Sequence, residues 1–143
     1  MGVPAEVTDG HVFLVEKENE VFAIRSKLKE PQLFSTVWKT SLKKSAFGMA
    51  DEYRLRGFAA TATVSGDLIA CPTNRGDLVL LDAKEGKKIW AYDYAKPTPI
   101  ALNDVQPSWF TRPPIFAAGK VIYSPPEHDE LLVISQERGW IVW

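Results

Sequence analysis

Glu127-His128-Asp129-Glu130 is the densest run of side chains able to bind a metal or move a proton. Carboxylates and an imidazole suit a divalent cation. Consecutive residues on a hairpin diverge, however, and Pro125-Pro126 marks a turn just before the run, so it reads as a turn and not as a site. Asn103-Asp104 is an oxygen-rich pair in a connector. Calcium needs about six or more converging oxygens, and a connector Asn-Asp is ordinarily a turn. Cys71 is the single cysteine, which excludes an internal disulfide and a thiolate zinc site. His11 stands beside Gly10 at a hairpin and is expected at the surface. With only two histidines no nucleophile–base–orienter set assembles. Ser65, Ser108 and Ser124 have no motif around them, and glycine-rich phosphate loops are missing. No residue is assigned a catalytic, cofactor-binding or metal-binding role.

The elements around these residues belong to a folded domain of ordinary make-up. Its 143 residues suffice to bury a core, and 45% hydrophobic with 24% charged residues is typical of globular proteins. Seventeen basic residues nearly cancel eighteen acidic ones, leaving a net charge of -1. That balance lacks the electrostatic footprint of a nucleic-acid binder or an anionic-membrane binder. Lys39, Lys43 and Lys44 form a local excess, but Asp51 and Glu52 follow, and the stretch reads as a solvated connector. No apolar run approaches the roughly 20 residues that span a bilayer. The first residues lack the basic start and apolar stretch of a signal peptide. Either the mature protein is cytoplasmic, or an export signal is expected outside this stretch.

Self-similarity organises the chain. Thr8-Asp9-Gly10-His11-Val12-Phe13-Leu14-Val15, Val64-Ser65-Gly66-Asp67-Leu68-Ile69-Ala70-Cys71 and Ala117-Ala118-Gly119-Lys120-Val121-Ile122-Tyr123-Ser124 superimpose when their glycines are aligned. Each is followed by a second apolar run and then a tryptophan. Gly66 to Trp90 and Gly119 to Trp143 are both 24 positions, and Gly10 to Trp38 is 28, as a four-residue insertion around Lys27 to Leu33 would give. The glycines recur after 56 and then 53 residues. Such a period suits a propeller blade with long connectors.

Each repeat reads as four short strands, in the second Phe58–Val64, Leu68–Cys71, Asp77–Asp82 and Lys88–Tyr94. β-Branched and aromatic residues fill the runs, and Gly, Asn, Asp and Pro fill the gaps. Leu78-Val79-Leu80-Leu81 shows no polar alternation, so that strand is expected to be buried on both faces, as when sheets stack radially. The one helical candidate, Ser45–Arg54, is short, contains Gly48, and is left as connector. The fold class is therefore all-β, a partial β-propeller of about three four-stranded antiparallel blades. The blades are placed at residues 3–42, 57–94 and 112–143, with connectors at 43–56 and 95–111.

Leu80-Leu81-Asp82-Ala83-Lys84-Glu85-Gly86-Lys87-Lys88-Ile89-Trp90 resembles the tryptophan-docking repeat of the quinoprotein (PQQ-like) propeller family, whose pattern is Ala-x-Asp-x-x-Thr-Gly-Lys-x-x-Trp. Asp82, Gly86, Lys87 and Trp90 match, while Leu80 and Glu85 replace Ala and Thr. The third repeat keeps Gly139 and Trp143 but has Ser135 for Asp. The first keeps Ala23 and Trp38 and loses the Gly-Lys turn within its insertion. The resemblance implies that Trp38, Trp90 and Trp143 each pack on a neighbouring blade; Gly86 and Asp82 are counted with them as structural blade-docking positions, Gly86 suited to the left-handed position of a bulged hairpin and Asp82 to bonding its own turn's backbone. Trp109 falls outside that position and is the better candidate for an exposed contact.

Propellers close with about 4–8 blades, so this chain is expected to be part of a longer protein or an open arc. Quinoprotein dehydrogenases of the same family use PQQ, calcium, a carboxylate base and often adjacent cysteines, and a lone Cys71 rules out that pair. No cofactor is expected. The resemblance instead points to a non-catalytic scaffold, similar to the propeller lipoprotein of the bacterial outer-membrane assembly machine, with a protein partner and a periplasmic or cell-envelope location. A lipid-attachment cysteine near the start is absent here. Part of a PQQ-dependent dehydrogenase, with catalytic residues elsewhere, is the alternative. A sensor domain of a signalling protein is a third possibility.

Overall fold

A computed structural model describes residues 6–8, 11–15, 20–26, 34–42, 61–73, 76–94, 112–125 and 130–143, with side chains described from residue 36 onward. All regular structure among these residues is strand. β1 (Glu6–Thr8), β2 (His11–Val15), β3 (Glu20–Ser26) and β4 (Phe34–Ser41) form one antiparallel sheet in sequence order. β5 (Thr63–Ser65), β6 (Leu68–Pro72), β7 (Asp77–Asp82) and β8 (Lys88–Asp93) form a second sheet with the same order. β9 (Ile115–Ala117), β10 (Lys120–Tyr123) and β11 (Leu132–Ser135) form a third. Where a fourth strand was expected, the third sheet has a bridge between Ile134 and Ile141 and a bond from Val133 N–H to the Trp143 carbonyl, 3.0 Å. In the second sheet, β5 covers only the end of the expected Phe58–Val64 run; residues 58–60 lie outside the described residues, as does Ser45–Arg54.

Alternation of side chains across the pleat explains the unbroken apolar run of β7. Val79 and Leu81, with Ile69 and Cys71, face one core, which Leu42, Ala62 and Trp38 complete. Leu78 and Leu80, with Ala70, face a second core shared with Val121, Tyr123, Leu132 and Ile134 of the third sheet. The middle sheet is therefore buried on both faces. The third sheet buries one set of alternating residues, and β10 and β11 show the matching in–out pattern.

The strand registers revise how the repeats align. Ser65 faces Leu68 and Ala117 faces Lys120, so each hairpin loop holds two residues. In the second sheet these are Gly66-Asp67, in the third Ala118-Gly119: the glycine is first in one loop and last in the other. Either position serves, because these tight hairpin turns need positive φ at the first residue or at both. Gly66 has φ 57°, whereas Ala118 and Gly119 have 48° and 70°. Lys120 thus corresponds to Leu68, since Leu68 pairs with Asp82 and Lys120 with Ser135. The equal glycine–tryptophan spacings conceal two one-residue differences that cancel, one in the hairpin and one between β10 and β11.

Candidate functional site

Of the residues singled out from the sequence, Trp38, Trp90, Asp82 and Gly86 lie at the junctions between sheets. Asp82 closes β7, and its Oδ1 accepts the backbone N–H groups of Lys84 and Glu85, both at 2.8 Å. That local bonding is what a short carboxylate does best in a turn. Gly86 follows at φ 69° and donates its N–H to the Asp82 carbonyl, 2.9 Å. The resulting turn leaves the Ala83 carbonyl pointing away from its own sheet. Trp38, on β4 of the first sheet, donates its indole N–H to that carbonyl at 2.9 Å. Its ring lies against Gly86 so closely that a Cβ there would stand 2.5 Å from Trp38 Cε3. Thr40 adds a second link, its hydroxyl donating to the Gly86 carbonyl at 2.5 Å.

The arrangement repeats at the next junction. Trp90, on β8, donates its indole N–H to the Gln136 carbonyl at 2.8 Å. Gln136 follows Ser135 as Ala83 follows Asp82, and Gly139 holds φ 69° with a Cβ position 2.6 Å from Trp90 Cγ. Ser135 Oγ accepts from Arg138 N at 3.3 Å, a longer version of the Asp82 bond. Tyr92 stands where Thr40 does, two residues past the tryptophan.

A bulge aims each indole. Ala23 pairs with Trp38 and Ile24 with Thr36, leaving Val37 extra; Leu80 pairs with Trp90 and Leu81 with Lys88, leaving Ile89 extra. Val142 holds the same place beside Trp143, with Val142 and Trp143 N–H both directed at the Val133 carbonyl, 2.7 and 3.4 Å. An inserted residue increases local twist and re-aims the next side chain. Trp143 therefore has the register of Trp38 and Trp90, but it is 76% exposed. Trp140, Ile141 and Val142 just before it are exposed, as is Leu131, and the Arg138 guanidinium sits 4.7 Å from the Trp140 ring centroid.

Sequence reasoning had marked the tryptophans, Gly86 and Asp82. It missed Thr40, the bulge residues, and the acceptor carbonyls of Ala83 and Gln136. A backbone carbonyl has no residue-type signature. The bulge did leave one, an aliphatic residue before tryptophan in Val37-Trp38, Ile89-Trp90 and Val142-Trp143.

Groups considered for chemistry are dispersed. Cys71 is buried, and desolvation pushes its thiol from 9.0 up to about 12, which makes it inert at neutral pH. Thr73 donates its hydroxyl to Asp77, and both are buried at the β6–β7 end. Ser65, Ser124 and Glu130 are exposed, and His11 opens β2. Asn103-Asp104, Ser108, Trp109, Glu127–Asp129, Lys43, Lys44, Asp51 and Glu52 lie outside the described residues. Among the described residues no three His, Cys, Asp or Glu side chains gather as metal ligands. An open cleft of about 530 Å³ separates β5 from β9, lined by residues 61–65 and 113–116. Thr63 bridges it, its hydroxyl donating to the Pro114 carbonyl at 2.6 Å. Among the described residues the lining supplies hydroxyls and apolar groups and no titratable side chain. No described helix is long and apolar enough to cross a membrane.

Comparison with known proteins agrees with this geometry. A family profile described as outer membrane protein assembly factor BamB matches residues 35–143. Among solved structures, BamB from Moraxella catarrhalis superimposes with a TM-score of 0.64 and 16% identity, over 97% of this chain and 34% of that one. The quinohemoprotein alcohol dehydrogenase ADHIIG from Pseudomonas putida HK5 superimposes with a TM-score of 0.62 and 18% identity, over 99% of this chain and 20% of that one. The chain thus spans about a third of the first and a fifth of the second. The search of curated proteins finds no match.

Proposed function

Because the chain belongs to the PQQ_2 family, described as outer membrane protein assembly factor BamB, and has the fold of a partial PQQ-like propeller, we propose that it is a non-catalytic interaction scaffold of the cell envelope. In this reading residues 3–42, 57–94 and 112–143 are blades, and Trp38 and Trp90 are the pins that dock each blade on the next. Asp82 and Gly86 build the receiving turn, and Trp143 offers the same pin to a further sheet.

The observation that carries the reading is how the prominent side chains are used. The paired aromatic, hydroxyl and glycine groups serve sheet-to-sheet contact. The described residues lining the cleft offer hydroxyls and apolar groups, without the carboxylate, imidazole or amine that general acid–base work uses. Sheets packed on one another and joined by connecting loops are a form that suits a scaffold. The family description supports an envelope location, and fold alone is a weak warrant for a partner's identity. Co-purification from envelope extract with the full-length parent tests the proposal. Recovery of a specific partner is the expected result; no partner, together with turnover of an alcohol or sugar, overturns it.

Likeness to an alcohol dehydrogenase favours the second reading, a piece of a PQQ enzyme. The cleft residues do not fit that cofactor: an anionic quinone needs cationic partners and its calcium needs carboxylates, and residues 61–65 and 113–116 supply neither. Adding PQQ and calcium to the parent and measuring dye-linked alcohol oxidation separates the two readings.

A further inference from the structure

We draw no further inference here: the strongest candidate, the open cleft between the edge strands β5 and β9 with the Thr63–Pro114 hydrogen bond across it, carries nothing, because nothing in the structure shows what covers it.

Discussion

Gly86 and Gly139 hold positive φ and press against an indole, while Gly66 holds positive φ in open space. The three therefore separate two costs. Gly66→Ala meets only the backbone penalty, about 1 kcal/mol. Gly86→Ala and Gly139→Ala add steric conflict with Trp38 and Trp90, for a total of about 2–4 kcal/mol in urea unfolding. Trp38→Ala and Trp90→Ala are expected to cost about 3 kcal/mol each, and Trp143→Ala within about 0.5 kcal/mol, being exposed. Equal costs at the three tryptophans would contradict the geometry. Cys71 makes a pH prediction. Its folded pKa, about 12, lies above the ordinary 9.0, so the neutral thiol is the form the fold favours. Its contribution is fully present below pH 9 and is lost as pH rises toward 12. Thiol labelling at pH 8 should therefore follow global unfolding, and rapid labelling of the native chain would show that the side chain is accessible. At this scale the sequence was informative wherever function resides in a side chain. Asp82, Gly86 and the tryptophans stood out by type and spacing. The Ala83 and Gln136 carbonyls did not, because a main-chain acceptor belongs to every residue.

Among the elements, the hairpin between β9 and β10 carries a local conflict. Ala118 occupies φ 48°, where a Cβ crowds the backbone, and Gly119 beside it already supplies the second positive φ at 70°. Asn-Gly is the favoured sequence for such a loop. Ala118→Asn is expected to raise stability by about 0.5–1 kcal/mol, seen as a higher urea midpoint with unchanged slope. Loss of stability would mean that the loop does not adopt this turn. The element pattern was mostly legible, since β6 begins with the apolar run at Leu68, β7 and β8 begin one residue before the apolar runs at Leu78 and Ile89, and the three end at Pro72, Asp82 and Asp93. The one-residue offset between Gly66 and Gly119 was not. Glycine serves either position of a two-residue loop, so aligning on glycine cannot tell the positions apart; only the pairing of Leu68 with Asp82 and of Lys120 with Ser135 does.

For the molecule as a whole, burial on both faces of the second sheet is what makes stacked sheets more than a chain of hairpins. Ile69, Cys71, Val79 and Leu81 belong to one core, and Ala70, Leu78 and Leu80 to the other. Absence of alternation in β7 announced this in the sequence. Partner and task were less legible, because a repeat pattern encodes how sheets pack on one another and carries no residue type that names a ligand or partner. Trp38 and Trp90 each seat in the glycine turn of the following sheet, and the stacking of the sheets depends on this. Exchange of the indole Nε1 protons, followed by NMR on the 15N-labelled chain, tests it most directly. Trp38 and Trp90 should exchange slowly, held by the Ala83 and Gln136 carbonyls, while Trp143 exchanges as fast as in a short peptide. Trp38 and Trp90 exchanging as fast as Trp143 would contradict the account.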